Sequence, residues 1–491
     1  MRRGPFVLTR ALVAAAVLLL PITAAHAHGH LLRSDPAKGS HVRALPSRLS
    51  LTFSEAPNVR LSHVLLVGAS GVTVALGPLS LDEKDRATVT ARIIAPLAAG
   101  HYTVRWQMAG DDGHPVRGEY GFDVDSGAVA PSPAGGGIAG PIPGTQDMPV
   151  GASPAPAAVA GGSSVNTRAG DAPAAVAHDA AVFDASSPVY ALLRALQFAA
   201  VILLLGSLAF RSVVVPRFAR SGPAFALAAV PMIARSAAVA TWAAWAFLGV
   251  TLARLPAQHA AVFGVETAWS AQSLGALLWG SSWAAGWWLA LTASVGAVAA
   301  ARLARRANVT GWAWLAAALL PIVVSLGLSG HPAVAQGRVL SLIVDAVHVL
   351  GAGGWVGSLA VVLVAGIPVA TALPEAQRHA SVGALLNAFS PTALVAAGVL
   401  VLSGTIAGWR NVGSLGAIVD TPYGQVLLAK LAVLSITAAT GAYNWKRVLP
   451  ALGTEAATLR LTRSASVEIA TAVVVIIITA VLVATRMPGE M

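Results

Sequence analysis

Three residues, one near the amino terminus and two close together much further on, have the types and placement to hold a divalent metal: His28, Asp112 and His114. A basic start (Arg2, Arg3, Arg10), an apolar run from Ala11 to Leu20 and the small-residue pattern Ala25-x-Ala27 predict a signal peptide over 1–27, cut after Ala27. His28 then begins the processed chain and offers its free α-amine and a ring nitrogen to one metal, a chelate that no internal histidine forms. Asp112 and His114 are two positions apart in Gly110-Asp-Asp-Gly-His-Pro-Val-Arg-Gly118. In an extended segment that spacing puts both side chains on one side of the backbone. Three nitrogens and one oxygen make a tetragonal set, and Cu(II) binds such donors most strongly of the common divalent series. The competing reading is a turn at Asp112-Gly113 with His114 capping a loop. His30 lies close to the same region, Asp111 is a substitute for Asp112 if the register slips, and Glu55 reads as a solvated strand-end charge. His63 and His101 adjoin strands as surface or edge residues.

Alternation places these groups on a small β domain. Leu49, Leu51 and Phe53, then Tyr102, Val104, Trp106 and Met108, then Tyr120, Phe122 and Val124 repeat with the period of two that marks a half-buried strand. Further strands are expected at 63–67, 72–76 and 88–93. Several short strands within about a hundred residues indicate a β-sandwich or Greek-key barrel over 28–126. Residues 127–187 are rich in Ala, Pro and Gly without periodic apolar positions, which predicts a disordered linker; His178 and Asp179 read as solvated groups within it.

The chain has 491 residues, 56% of them hydrophobic and only 11% charged, so most of it belongs in a membrane. From 188 to 486 the apolar runs are long enough to cross a bilayer, with spans expected at 188–210, 224–250, 275–300, 310–329, 340–368, 386–409, 422–444 and 465–485. The third boundary has an alternative, a short surface helix within 265–288 ahead of the true span. Arg211, Arg217 and Arg220, then Arg302, Arg305 and Arg306, then Lys446, Arg447, Arg460 and Arg463 follow alternate spans, whereas outer loops carry single residues such as Arg254, Arg338 and Arg410. Basic loops stay in the cytoplasm, so the first span starts outside. The net charge of +11 is thus a topology signal, with no nucleic acid implied. The chain contains no cysteine, which excludes disulfides, thiolate zinc sites and Fe–S clusters.

Ionisable groups in hydrocarbon are costly and face a partner, a cavity or a path. Arg235, Lys430 and Glu468 read mainly as staples between spans, Glu468 pairing with Lys430 or Arg235. Asp345 and His348 share one helix face near the outer side of span five, and His331 lies one short loop away in Ser329-Gly-His-Pro332. These three form a candidate metal path, with His259 a weaker outer-loop signal. No ATP-binding loop or phosphorylation segment is present.

His28-Gly-His-Leu-Leu-Arg-Ser-Asp-Pro-Ala-Lys-Gly39, Leu51-Thr-Phe-Ser-Glu55, Gly100-His-Tyr-Thr-Val-Arg-Trp106 and Asp112-Gly-His-Pro-Val-Arg-Gly118 resemble the periplasmic copper-binding CopC family over almost all of 28–125. The resemblance implies a seven-stranded Greek-key barrel, cupredoxin-like or Ig-like, with Cu(II) held by the amine and ring of His28 and by Asp112 and His114. Some members hold Cu(I) in a methionine-rich loop; here only Met108 stands in the domain, in an alternating strand that assigns it to the core. Residues 190–485 are similar to the CopD copper-resistance membrane family through Leu350-Gly-Ala-Gly-Gly-Trp-Val-Gly-Ser-Leu359, Ser403-Gly-Thr405, Thr421-Pro-Tyr-Gly424, Leu427-Leu-Ala-Lys-Leu431 and Asn444. That similarity implies an all-α polytopic domain of about eight helices in the inner membrane, with the β domain on the periplasmic or extracellular side. The expected function is copper binding outside and copper transport inward, contributing to copper homeostasis and resistance without enzymatic activity. Cu(I) is the form expected in membrane transit, and the partners expected are copper ions, the bilayer and a periplasmic copper donor. The alternatives are a membrane-anchored copper sensor and a copper-dependent redox enzyme.

Overall fold

A computed structural model of the chain describes residues 30–129, 187–330, 337–443, 446 and 455–485. His28, the expected signal peptide, His178, Asp179, His331, Asn444 and all but the ends of the expected linker lie outside the described residues.

Nine strands form the amino-terminal region: β1 (Leu31–Asp35), β2 (His41–Ala44), β3 (Arg48–Phe53), β4 (His63–Gly68), β5 (Thr73–Val74), β6 (Ser80–Leu81), β7 (Thr88–Arg92), β8 (Gly100–Ala109) and β9 (Pro115–Val129). They pack as two sheets, β1-β3-β7-β6 against β2-β9-β8-β4-β5. The count exceeds the seven implied by resemblance because β5 and β6 are two-residue pairings. The alternation reads out as burial: Leu49, Leu51 and Phe53 are each 1% exposed, and Val104 and Phe122 are fully buried. Trp106 meets Phe53 edge-on at 5.0 Å. Met108 is in this core, as its strand position requires. β2 runs parallel to β9, whereas β8 and β9 are antiparallel and in register from Gly100↔Val124 to Ala109↔Pro115. That hairpin delivers the Gly110–His114 turn to one pole of the sandwich.

Among the described residues nine longer helices follow: α1 (Pro188–Ala219), α2 (Pro223–Phe263), α3 (Ala271–Leu278), α4 (Ser282–Arg305), α5 (Val309–Leu328), α6 (Arg338–Ala370), α7 (Glu375–Val412), α8 (Pro422–Tyr443) and α9 (Glu455–Val483). Seven are long and apolar enough to cross a membrane, and α9 adds a shorter apolar stretch, Val467–Val483. The eighth expected span is therefore the short one. α3 is the surface helix offered as the alternative at the third boundary, and Ser281 caps the span that follows it by accepting from the Ala284 amide. Helix α1 starts in the same way, with Ser187 capping and Pro188 in the first turn. It crosses α6 with no side chains between them, since a Cβ on Gly206 would collide with the backbone of Gly357. The glycine-rich run 351–357 thus serves close helix packing, the membrane use of small residues.

Three expectations are corrected. Arg254 and His259 belong to no loop: α2 continues to Phe263, and both side chains are 2% exposed inside it. His259 stacks on Trp269 at 4.6 Å and bonds Ser273 Oγ at 3.1 Å. Arg235, expected to staple helices, is exposed on α2, because that helix turns a different face to its neighbours.

The interior of the sandwich makes one prediction. Phe122→Ala should lower the stability of the β domain by about 3–5 kcal/mol, read as an earlier urea midpoint in near-ultraviolet circular dichroism.

Candidate metal centre

The Gly110–His114 segment is a tight turn, where an extended arrangement was expected. Gly113 N–H donates to Gly110 O at 3.0 Å, and Gly113 has φ +79°, a conformation that favours glycine. Asp112 Oδ1 accepts from the His114 amide at 3.1 Å, which folds the side chain back over the turn. Its other oxygen, Oδ2, then lies 2.7 Å from His114 Nδ1. The turn reading and the convergence reading are therefore both satisfied by one local structure. Asp112 is 1% and His114 3% exposed, so a carboxylate oxygen and an imidazole nitrogen meet in a buried position. Among the described residues no group of three or more His, Asp and Glu is arranged so that it could hold a metal ion. Glu55, expected as a solvated charge, is half-buried, and its carboxylate approaches the same Gly110 that Asp112 flanks. His30 Nδ1 is buried without a hydrogen-bond partner among the described residues. Partial desolvation, then the charge of Arg117, lowers the His63 imidazole below its ordinary range, which keeps that exposed strand residue neutral near pH 7.

The pole carrying this turn is seated on the membrane helices. Asp111, expected as a solvated substitute ligand, has another role: its carbonyl accepts from Ser282 N–H at 3.0 Å, from Ser282 Oγ at 2.9 Å and from Trp283 N–H at 3.3 Å. A Cβ on Gly113 would sit 2.9 Å from Gln258 Nε2 and 3.1 Å from the Trp283 ring. Gln258 Nε2 donates to Gly113 O, Gln107 Nε2 to Val262 O, Arg117 Nη2 to Ala261 O at 2.9 Å, and Asn58 Nδ2 to Gly280 O at 3.0 Å. Leu61 and Ala109 pack on Val262 in the same seam.

Below the seam, α1 and α2 face each other with polar stripes that the sequence reading missed. Tyr190 Oη donates to Gln258 Oε1 at 2.7 Å, and Arg254 Nη1 to Gln197 Oε1 at 3.1 Å. Arg194 Nη2 donates to Ser329 O. Tyr190, Arg194 and Gln197 recur at helical spacing, as do Thr251, Arg254 and Gln258; that periodic signal could have been found inside the apolar runs. Arg194 is within electrostatic reach of Arg254, of Asp112 above and of Asp345 below. Asp345 in turn is within electrostatic reach of Lys430, and Glu468, expected to pair with Lys430 or Arg235, is buried. His348 Nδ1 lies 3.1 Å from Ser403 Oγ, and its ring rests against Gly404, where a Cβ would stand 3.1 Å from Cε1. The Ser403-Gly404 pair thus gives His348 its space and its hydrogen bond.

Two regions of the chain match known protein families. The CopC domain family model matches residues 31–125, and the Copper resistance protein D model matches residues 383–482. Copper transport protein CutJ of Bacillus subtilis (strain 168) is 21% identical over 438 residues, covering 87% of this chain and 69% of that protein. Copper resistance protein C of Escherichia coli is 30% identical over 125 residues, covering 24% of this chain and 98% of that protein. The crystal structure of PcoC, a methionine-rich copper resistance protein from Escherichia coli, aligns with 33% identity over 20% of this chain and 100% of that chain, at a TM-score of 0.19. Asp112 and His114 fall in the first matched region and Ser403, Gly404 and Lys430 in the second, with Asp345 and His348 between the two. Through residues 31–125 the chain belongs to the CopC family, and residues 383–482 of the same polypeptide match the Copper resistance protein D model.

Proposed function

We propose that this protein captures Cu(II) outside the cytoplasmic membrane with the amine and ring of His28 together with Asp112 and His114, and passes copper inward through its membrane domain. The observation that carries the reading is the 2.7 Å approach of Asp112 Oδ2 to His114 Nδ1 in a buried turn seated on the membrane helices. One oxygen and one nitrogen are in place there, and an amino-terminal histidine supplies two more nitrogens, a donor set suited to Cu(II). Glu55 stands close enough to add negative charge.

The membrane route begins where the turn ends. Arg194 links the field of Asp112 to that of Asp345, and Asp345 and His348 lie one helical turn apart on α6. His331 completes the proposed outer entrance. A neutral imidazole and a carboxylate bind copper transiently, and Cu(I), the less charged ion, is the form proposed in transit. Inward movement needs no ATPase, since a cation entering a negative interior gains about 2.3 kcal/mol per charge per 100 mV. Arg302, Arg305 and Arg306 are at the end of α4 opposite the start that bonds Asp111 of the β domain, which supports a periplasmic or extracellular position for that domain. The role is binding and transport in copper homeostasis and resistance, with a periplasmic copper donor as the proposed partner and the cell inner membrane as the proposed location. Residues 1–27 act as a signal peptide and 127–187 as the tether that keeps the binding domain local to the route.

Two experiments test this. Chelator competition on the purified full chain should give Cu(II) affinities lowered at least about 100-fold by Asp112→Asn and by His114→Ala, beyond the effect of losing an outer partner, and lowered likewise by one extra residue ahead of His28. Equal affinity in all forms would sink the site. In reconstituted vesicles, interior copper should rise with an inside-negative potential, and His348→Ala and Gly404→Ala should each slow that rise about tenfold or more. Unchanged uptake in His348→Ala removes that residue from the route, and no flux in the unaltered protein favours the sensor reading.

A further inference from the structure

Two guanidinium groups lie directly beneath the seat of the copper-binding turn. Arg194 and Arg254 are each 2% exposed, and no acidic side chain forms an ion pair with either among the described residues. Arg254 leaves Nε and Nη2 without hydrogen-bond partners among those residues, and its guanidinium stands 6.0 Å from the centre of the Trp283 ring. Trp283 is the residue against which Gly113 closes. A divalent cation held by Asp112 and His114 in this position faces two buried positive charges across a water-poor seam, where charges interact much more strongly than in bulk water.

We infer that the outer face of the membrane domain, built from Gln258, Ser282 and Trp283 over Arg194 and Arg254, is a release surface for copper: docking of the β domain onto it weakens Cu(II) binding. This deepens the proposed function and rests on Cu(II) binding at Asp112 and His114. Linkage makes the effect reciprocal: a surface that lowers affinity for copper when docked is itself pushed off by copper. The loaded β domain therefore stands away from the helices, and docking discharges it at the mouth of the route.

Ser282→Pro isolates the interface. Position 282 is the first residue of α4, where proline is compatible with the helix, and Ser281 before it is already extended at φ −135°, ψ 158°. The substitution removes the Ser282 N–H and hydroxyl bonds to Asp111 and leaves the β domain unaltered. Docking can be followed by disulfide formation between Ala109→Cys and Val262→Cys, which pack together across the seam, in a chain that contains no other cysteine. Ser282→Pro should reduce that cross-link and tighten Cu(II) binding by at least about tenfold, and Arg254→Gln should tighten it comparably while Arg254→Lys stays at the unaltered value. Combining Ser282→Pro with Arg254→Gln should give no more than Ser282→Pro alone, because an undocked domain no longer senses the arginine. Misfolding does not produce tighter binding, so the sign of the change is diagnostic. Unaltered or weaker Cu(II) affinity in both Ser282→Pro and Arg254→Gln, with the cross-link lost in the former, overturns the release surface. Absence of Cu(II) binding in every form, the unaltered chain included, overturns the copper site itself.

Discussion

The first amides of a helix have no partners within that helix, and when the helix begins at a buried seam they must find acceptors elsewhere. At the start of α4 the acceptor is Asp111 of the β domain, which takes bonds from Ser282 and Trp283. That contact fixes the position of everything next to it. Asp112 and His114 follow in the chain and are carried to the seam, Gly113 closes on Trp283, and Gln258 reaches the Gly113 carbonyl. Two modules that could have been strung loosely together become one arrangement, in which a binding turn and a membrane bundle share an interior.

The second constraint is the expense of charge in hydrocarbon. Arg194, Arg254, Asp345 and Lys430 are placed so that their fields overlap along a line running from the seam into the bundle. Gln197 accepts a hydrogen bond from Arg254 and the Ser329 carbonyl one from Arg194, while Tyr190 pairs with Gln258 and Ser403 with His348. Outside that line the helices meet through small residues, as where Gly206 and Gly357 bring α1 and α6 into backbone contact. Polar matter is therefore concentrated, and the rest of the bundle is free to be apolar.

The strands were legible in the sequence because one face of each is buried and the side-chain period is two. Leu49, Leu51, Phe53, Val104 and Phe122 follow that rule, and Met108 was rightly assigned to the core by its place in it. The spans were legible by length, although α9 is shorter in its apolar part than expected, and the surface helix α3 appeared only as an alternative. Charges near helix ends were the least legible. Arg254 and His259 looked like loop residues because a stretch ending at 250 is already long enough to cross a bilayer, yet α2 continues for thirteen residues more. Arg235 looked buried for the same reason, since a hydropathy pattern gives depth along a helix and says little about which side faces a neighbour.

What the sequence determined by itself is local. The histidine, aspartate and glycine of the turn, the alternating strands, the apolar runs and the copper-family motifs all depend on residues close together in the chain, where spacing fixes geometry. Tertiary structure alone decided that the Asp111 carbonyl serves a helix start, that Glu55 reaches the turn, that His348 fits against Gly404, and that two buried arginines lie on the helices under the turn. Each of these joins elements separated by tens to hundreds of residues. Such contacts depend on how helix faces rotate and where the sandwich rests, and those are settled by packing and by the need to satisfy every buried polar group at once.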